Sequence, residues 1–170
     1  MLLALNLIAF QLAWFACILG AAHGQPNWGI AAVAVAVALQ FTVSDARTAD
    51  AVLLAAALAV GLVWDTLMAR TGLVEYASPG PIAGWAPGWI LALWALFATI
   101  LREPLRWLHG RWMLAAFMGG VSGAMSYWGA VRLGAGRFSN FELAMTVLAA
   151  GWAVMTPALT QLAQWLESRR

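Results

Sequence analysis

Lysine is absent from the chain: all nine basic residues are arginine. Charged residues of both signs make up only 9% of the 170 positions, against 64% hydrophobic. A soluble domain carries about 25% charged residues because its surface must stay wet. A chain this poor in charge cannot cover a core that way, so its outside faces lipid. The net charge is +2, with the arginines scattered between apolar runs, which excludes a nucleic-acid partner. A single cysteine, Cys17, excludes an intrachain disulfide, and the only histidines, His23 and His109, lack any ligand-like spacing. Neither a metal nor a cofactor is expected. No nucleophile–base pair, phosphate loop or metal-binding helix motif occurs either.

What the chain does have is long apolar runs. A helix needs about 20 apolar residues to cross the hydrocarbon, and an open-ended structure can cross it only as a helix, because lipid cannot satisfy free backbone groups. Six segments qualify: 2–22, 28–44, 50–70, 86–102, 112–133 and 141–164. Breakers and charges fall between them, in "HGQPN" (23–27), "SDARTAD" (44–50), "ASPGPIAG" (77–84), "REPLRWLHGR" (102–111) and "GAGRFSN" (134–140). The first run has no basic region ahead of it and exceeds the roughly 7–15 residues of a signal core, so a retained helix is expected. The fold class is an all-α membrane protein, with residues 1–170 forming one compact bundle of about six transmembrane helices.

Six crossings would put both termini on the side of the second and fourth loops. That side holds Arg47, Arg102, Arg106, Arg111, Arg169 and Arg170, and the other holds Arg70, Arg132 and Arg137. The positive-inside rule then gives an N-in/C-in, multi-pass protein of a bacterial inner membrane. Trp28, Trp85, Trp89, Trp107, Trp112 and Trp165 fall near segment boundaries, where an amphipathic ring bridges lipid and water. Gly119 and Gly123 form a G-x-x-x-G groove in the fifth segment. Such a groove either packs a neighbouring helix of the same chain or forms the seam of a homodimer.

Asp65, in "GLVWDTLMARTGLVEY" (61–76), is the feature an apolar bundle explains least. A carboxylate at mid-membrane costs about 2.5–3.5 kcal/mol. Asp65 lies about 9 Å inside the outer end of its segment, in the outer third. Depth counts on the other segments bring Tyr127, Thr146 and Trp94 to a similar layer, with Arg132 and Glu142 at the rim above and Trp14 among the deeper tryptophans. One reading is an outer-leaflet pocket with Asp65 and Tyr127 as candidate catalytic groups and Trp94, Thr146, Arg132, Glu142 and Trp14 as binding residues. The other is that Asp65 bonds Tyr127, Arg132 or Arg70 and only locks the helices together. Asn6, Gln11 and Gln40 form a second polar set nearer the midplane, of the kind that usually bonds across helices.

The stretches "NLIAFQLAWFACILGAA" (6–22), "GLVWDTLMARTGLVEY" (61–76), "APGWILALWALFATIL" (86–101), "LRWL" (105–108) and "SYWGAVRLGA" (126–135) together resemble the membrane proteins grouped as domain-of-unknown-function family 2878. The resemblance implies no activity. It emphasises Phe10, Trp14, Cys17, Asp65, Trp89, Trp94, Phe97, Trp107, Tyr127 and Gly129, and the chain departs from the pattern at Pro104 and Ala124. Three functions stay open. The first is binding or processing of a lipid-like molecule in the outer-leaflet pocket. The second is a non-catalytic partner of a lipid-modifying enzyme, acting through the arginine-rich loop 102–111. The third is a small transporter working as a dimer. Whether the protein is an enzyme is left open.

Overall fold

A computed structural model describes residues 2–169, with side chains from Asn6 onward. Six α-helices dominate it: α1 (Leu2–Ala22), α2 (Pro26–Val43), α3 (Arg47–Arg70), α4 (Gly88–Ala98), α5 (Trp112–Arg132) and α6 (Phe141–Ser168). Two three-residue strands, β1 (Val74–Tyr76) and β2 (Gly136–Phe138), pair antiparallel with Glu75 opposite Arg137. The expectation of an all-helical chain therefore holds for the bundle, and the strand pair is an addition to it.

The strand pair arises where α3 and α5 stop. Each helix runs into a glycine of positive φ, Gly72 (71°) or Gly134 (90°), which reverses the chain as helix C-terminal glycines do. Two residues later each chain is extended, and the strands meet. Across the ribbon the Arg137 guanidinium donates to Glu75 Oε2 at 2.6 Å. Nearby, the Ser78 hydroxyl donates to the Ala21 carbonyl at 2.7 Å. Loops one, three and five thus gather at one end of the bundle.

The opposite end is held by charge. Arg102 is buried and donates to Asp50 at 3.0 Å and Asp45 at 2.9 Å, with Glu167 3.8 Å away. Ser44 donates to the same Asp50. The α2–α3 turn, the segment after α4 and the C-terminal turn of α6 therefore meet around one guanidinium. Arg170, one of the arginines counted in the orientation bias, lies outside the described residues.

Among the described residues, three helices, α2, α3 and α6, are long and apolar enough to span a membrane. The segment expected to cross over 86–102 is the one that departs most. Its helix, α4, has 11 residues, about 16 Å at 1.5 Å per residue, roughly half the hydrocarbon thickness. Pro87 precedes its first turn, and beyond it Thr99, Ile100 and Leu101 bond three residues back rather than four. Pro104, which disfavours a helical residue before it, keeps the helix from resuming. A lone three-residue 3-10 turn, Arg106–Leu108, follows. This short helix is the centre of the bundle: Trp89, Ile90, Trp94, Leu96 and Ala98 are all buried.

Close approach between helices is set by glycine. A Cβ on Gly29 of α2 would fall 2.3 Å from the Cys17 backbone of α1. On Gly119 it would fall 2.3 Å from the Thr156 hydroxyl, and on Gly123 2.2 Å from the Trp152 ring. The groove of Gly119 and Gly123 is thus filled by α6 of the same chain, as small-residue grooves in membrane bundles allow.

Candidate functional site

Asp65 is fully buried, with 0% of its surface exposed. Its Oδ1 accepts two bonds, from the Tyr76 hydroxyl at 2.5 Å and the Tyr127 hydroxyl at 2.6 Å. Its Oδ2 accepts the Trp94 indole N–H at 2.6 Å. Three elements beside α3 therefore converge on one carboxylate: β1, α4 and α5. A carboxylate buried without compensation would cost several kcal/mol, and short bonds from three donors are what makes this one tolerable. Neutral donors carry the compensation. Arg70 instead donates to the Gly84 carbonyl at 3.3 Å and sits over the Trp85 ring, and Arg132 is exposed.

The local sequence explains how Trp94 reaches that position. Gly61 lies one helical turn before Asp65 on the same face of α3. A Cβ there would come within 2.2 Å of the Trp94 ring, so only glycine leaves room for the indole. Trp94 in turn stacks on Trp152 of α6, with centroids 4.8 Å apart and planes within 8°. Phe97 and Tyr127 meet Trp152 edge-on, and Tyr76 meets Trp89 likewise. The result is a continuous aromatic wall with Asp65 behind it. Burial, reinforced by Asp65 and Tyr127, keeps the Tyr76 phenol protonated well above the ordinary tyrosine value of 10.0.

In front of the wall lies a cleft of about 530 Å³. Phe10, Gln11, Trp14 and Ile18 of α1 form one side, and residues between Ser122 and Val131 of α5 form the other. Trp89, Trp94 and Phe97 of α4 stand between them with Trp152, while Val74, Tyr76, Ala135 and Gly136 of the strand region close one end. None of the described residues that line it is charged. Gln11, Ser122 and Met125, midway along their helices, are exposed, so the mouth opens on the flank of the bundle. Exposed apolar side chains occur along both of these helices: Leu12 and Phe15 on α1, Phe117 and Val121 on α5. One polar link crosses the gap, the Trp14 indole N–H donating to the Ser126 hydroxyl at 3.1 Å.

Of the residues singled out in the sequence, Asp65, Tyr127 and Trp94 are brought into direct contact, and Trp14 lines the same cleft. Thr146, Glu142 and Arg132 are not brought to it. Thr146 is exposed and bonds the Glu142 carbonyl of its own helix at 2.8 Å, and Glu142 and Arg132 are exposed too. The depth count brings Thr146 to the Asp65 layer and Glu142 and Arg132 to the rim above it, but the inward face of α6 there belongs to Ala144 and Leu148. Neither Arg132 nor Arg70 pairs with Asp65; of the packing partners considered, Tyr127 is the one in place. The residue that sequence reasoning missed is Tyr76. It lies past the end of α3, where a count along the helix does not reach. A signal was present: Gly72 just after the last helical turn, then "VEY", and only two tyrosines in the whole chain.

The second polar set resolves into packing and lining. Asn6 donates to Gln40 at 2.9 Å across α1 and α2, and Gln11 stands at the cleft mouth. In the loop expected to present arginines to a partner, Arg102 points inward.

Over residues 3–158 the chain matches the family described as "protein of unknown function (DUF2878)", and it belongs to that family. No curated protein and no solved structure matches it.

Proposed function

We propose that this family member is a multi-pass membrane protein whose cleft takes up a lipid-like molecule sideways from the bilayer. The observation that carries this is the cleft itself: uncharged, aromatic-walled, about 530 Å³, with its mouth on the apolar flank between α1 and α5. That volume lies within the roughly 300–1,000 Å³ of small-molecule sites. A water-borne ligand would be served by a mouth at an end of the bundle, and a lipid by one on its side.

In this reading all six helices cross or enter the membrane in alternation, N-in and C-in, in an inner membrane. The gathering of loops one, three and five at one end and loops two and four with the C-terminal turn at the other supports it. The arginine bias then sets the Asp65 layer in the outer leaflet. Asp65 acts here as a positioning residue. It is sealed behind Tyr76, Trp94 and Tyr127, so its effect on a ligand passes through them. We assign binding rather than bond-breaking chemistry on that ground.

The test is native mass spectrometry of protein gently extracted with its lipids, for the wild type and for Ala130→Phe, which puts a ring into the cleft. A bound lipid-mass adduct in the wild type, lost in a variant of unchanged helix content, is expected. Equal retention of the adduct by the variant would contradict the reading.

A further inference from the structure

The end of the bundle held by Arg102 separates its charges by depth. Asp45, Asp50, Glu103 and Glu167 all reach that one buried guanidinium, at 2.9, 3.0, 3.4 and 3.8 Å. The acids at this end are thereby drawn towards a single arginine, and other arginines are left facing outward. Arg106 has only Glu167, at 3.8 Å, and Glu167 is shared with Arg102 and His109. Arg111 and Arg169 are exposed and reach no carboxylate among the described residues; Arg169 lies over the Trp165 ring, 4.1 Å from its centroid. Arg47 is engaged locally, donating to the Phe41 and Thr42 carbonyls at the end of α2. Arg106, Arg111 and Arg169 share one rim, because the 3-10 turn packs on the last turns of α6, with Arg106 facing Glu167 and Gly110 facing Gln164. Trp107, Trp112 and Trp165 stand exposed among them. The helix α5 also begins here, with no side-chain cap and no acid in its first turn, so its positive end is unopposed.

We propose that this rim binds the phosphate of an anionic phospholipid headgroup, at the end of the bundle opposite the Asp65 layer. The inference is independent of the cleft and rests only on the reading that the helices cross the membrane. A guanidinium gives phosphate two parallel hydrogen bonds, which suits outward arginines that have spent little of their charge on the protein. The rings between them choose the source of that phosphate. Tryptophan at a helix end sits at the headgroup level with its body in the acyl boundary, so guanidinium groups interleaved with it lie where lipid phosphates are. An acidic soluble partner would satisfy the arginines and leave the rings without a purpose. A zwitterionic lipid brings its own ammonium, which cancels the attraction.

The probes are dioleoyl phosphatidylglycerol and dioleoyl phosphatidylcholine, which share their chains and differ in headgroup charge. Each is titrated into the detergent-purified wild-type protein and followed by native mass spectrometry. The glycerol lipid should bind about tenfold more tightly, as one or two arginines near an anionic headgroup supply. In the triple variant Arg106→Gln, Arg111→Gln, Arg169→Gln that preference should fall towards unity. In Arg132→Gln, which removes an exposed arginine at the other end, it should persist. Equal affinity for the two lipids in the wild type, or saturable binding of neither, overturns the proposal. A preference that survives the triple variant overturns it too, by placing the lipid elsewhere, the cleft included. Equal loss in Arg132→Gln overturns it in favour of net charge, and displacement of the lipid by glycerol phosphate at similar concentration in favour of a soluble phosphate. The Ala130→Phe test of the cleft touches none of these residues, so the two readings fail separately. The wild-type comparison needs no variant, so it decides the matter even if the triple variant does not fold.

Discussion

Gly61 lies against the face of the Trp94 indole, close enough that a Cβ at position 61 would fall 2.2 Å from the ring. One turn later Asp65 accepts that indole's N–H at 2.6 Å. The glycine and the aspartate thus act together: the first admits the ring and the second fixes its orientation. Gly61→Ala forces the indole away from α3 and lengthens the bond to Asp65. A loss of about 1–3 kcal/mol is expected from overpacking, read as a lower melting temperature in detergent. An unchanged melting curve would mean the indole has another seat.

Tyr76 provides a pH test with a definite sign. Its folded-state pKa is raised above 10.0 by burial first and by Asp65 second. A raised pKa stabilises the fold fully below the ordinary tyrosine value, and that contribution is lost as pH climbs through the folded-state value. In Tyr127→Phe, Tyr76 is the sole tyrosine. Its phenolate absorbance should then appear only above pH 10.0, together with loss of structure. Titration at the ordinary value in a still-folded protein would contradict the burial of Tyr76 beside Asp65.

Much of this arrangement was legible in the sequence, and each failure has its own physical cause. Depth along a helix can be counted from residue numbers, and that count alone puts Asp65, Tyr127 and Trp94 in one layer. Rotation about the helix axis cannot be counted that way in a bundle whose outside is also apolar. In water the polar face would reveal it; in lipid Thr146 and Ala144 give no such contrast, and Thr146 faces outward. Tyr76 escaped for a different reason: its place depends on β1 pairing with β2, a contact between residues 62 apart in the chain at Glu75 and Arg137. The expected length of α4 failed because an apolar run does not distinguish a spanning helix from a short one buried among its neighbours.

At the glycine-rich face of α5, Gly119→Leu should lower the melting temperature sharply. A side chain there meets the Thr156 hydroxyl at 2.3 Å and the Trp152 carbonyl at 2.7 Å, neither with room to retreat. The oligomeric mass in detergent should not change. A change of mass without loss of stability would instead make Gly119 and Gly123 a seam between copies.

Arg102 is the counterpart at the other end. Its bond to Asp50 joins two side chains only 5% and 8% exposed. Removing one partner of a buried pair costs about 3–5 kcal/mol, and Asp50→Leu should fall near the lower figure because Asp45 and Glu167 still reach the guanidinium. The double variant Asp50→Leu with Arg102→Leu should recover part of that loss. A double variant as unstable as the sum of the singles would mean the two residues do not act as a pair.

The most direct test of the lipid-binding cleft is an experimental structure of the protein in lipid nanodiscs, solved with a fiducial binder by electron microscopy. An elongated density is expected between α1 and α5, entering beside Gln11 and Ser122 and ending at the Trp94–Trp152 wall near Tyr127. Closure of α1 onto α5 with no space before that wall would contradict the proposed function.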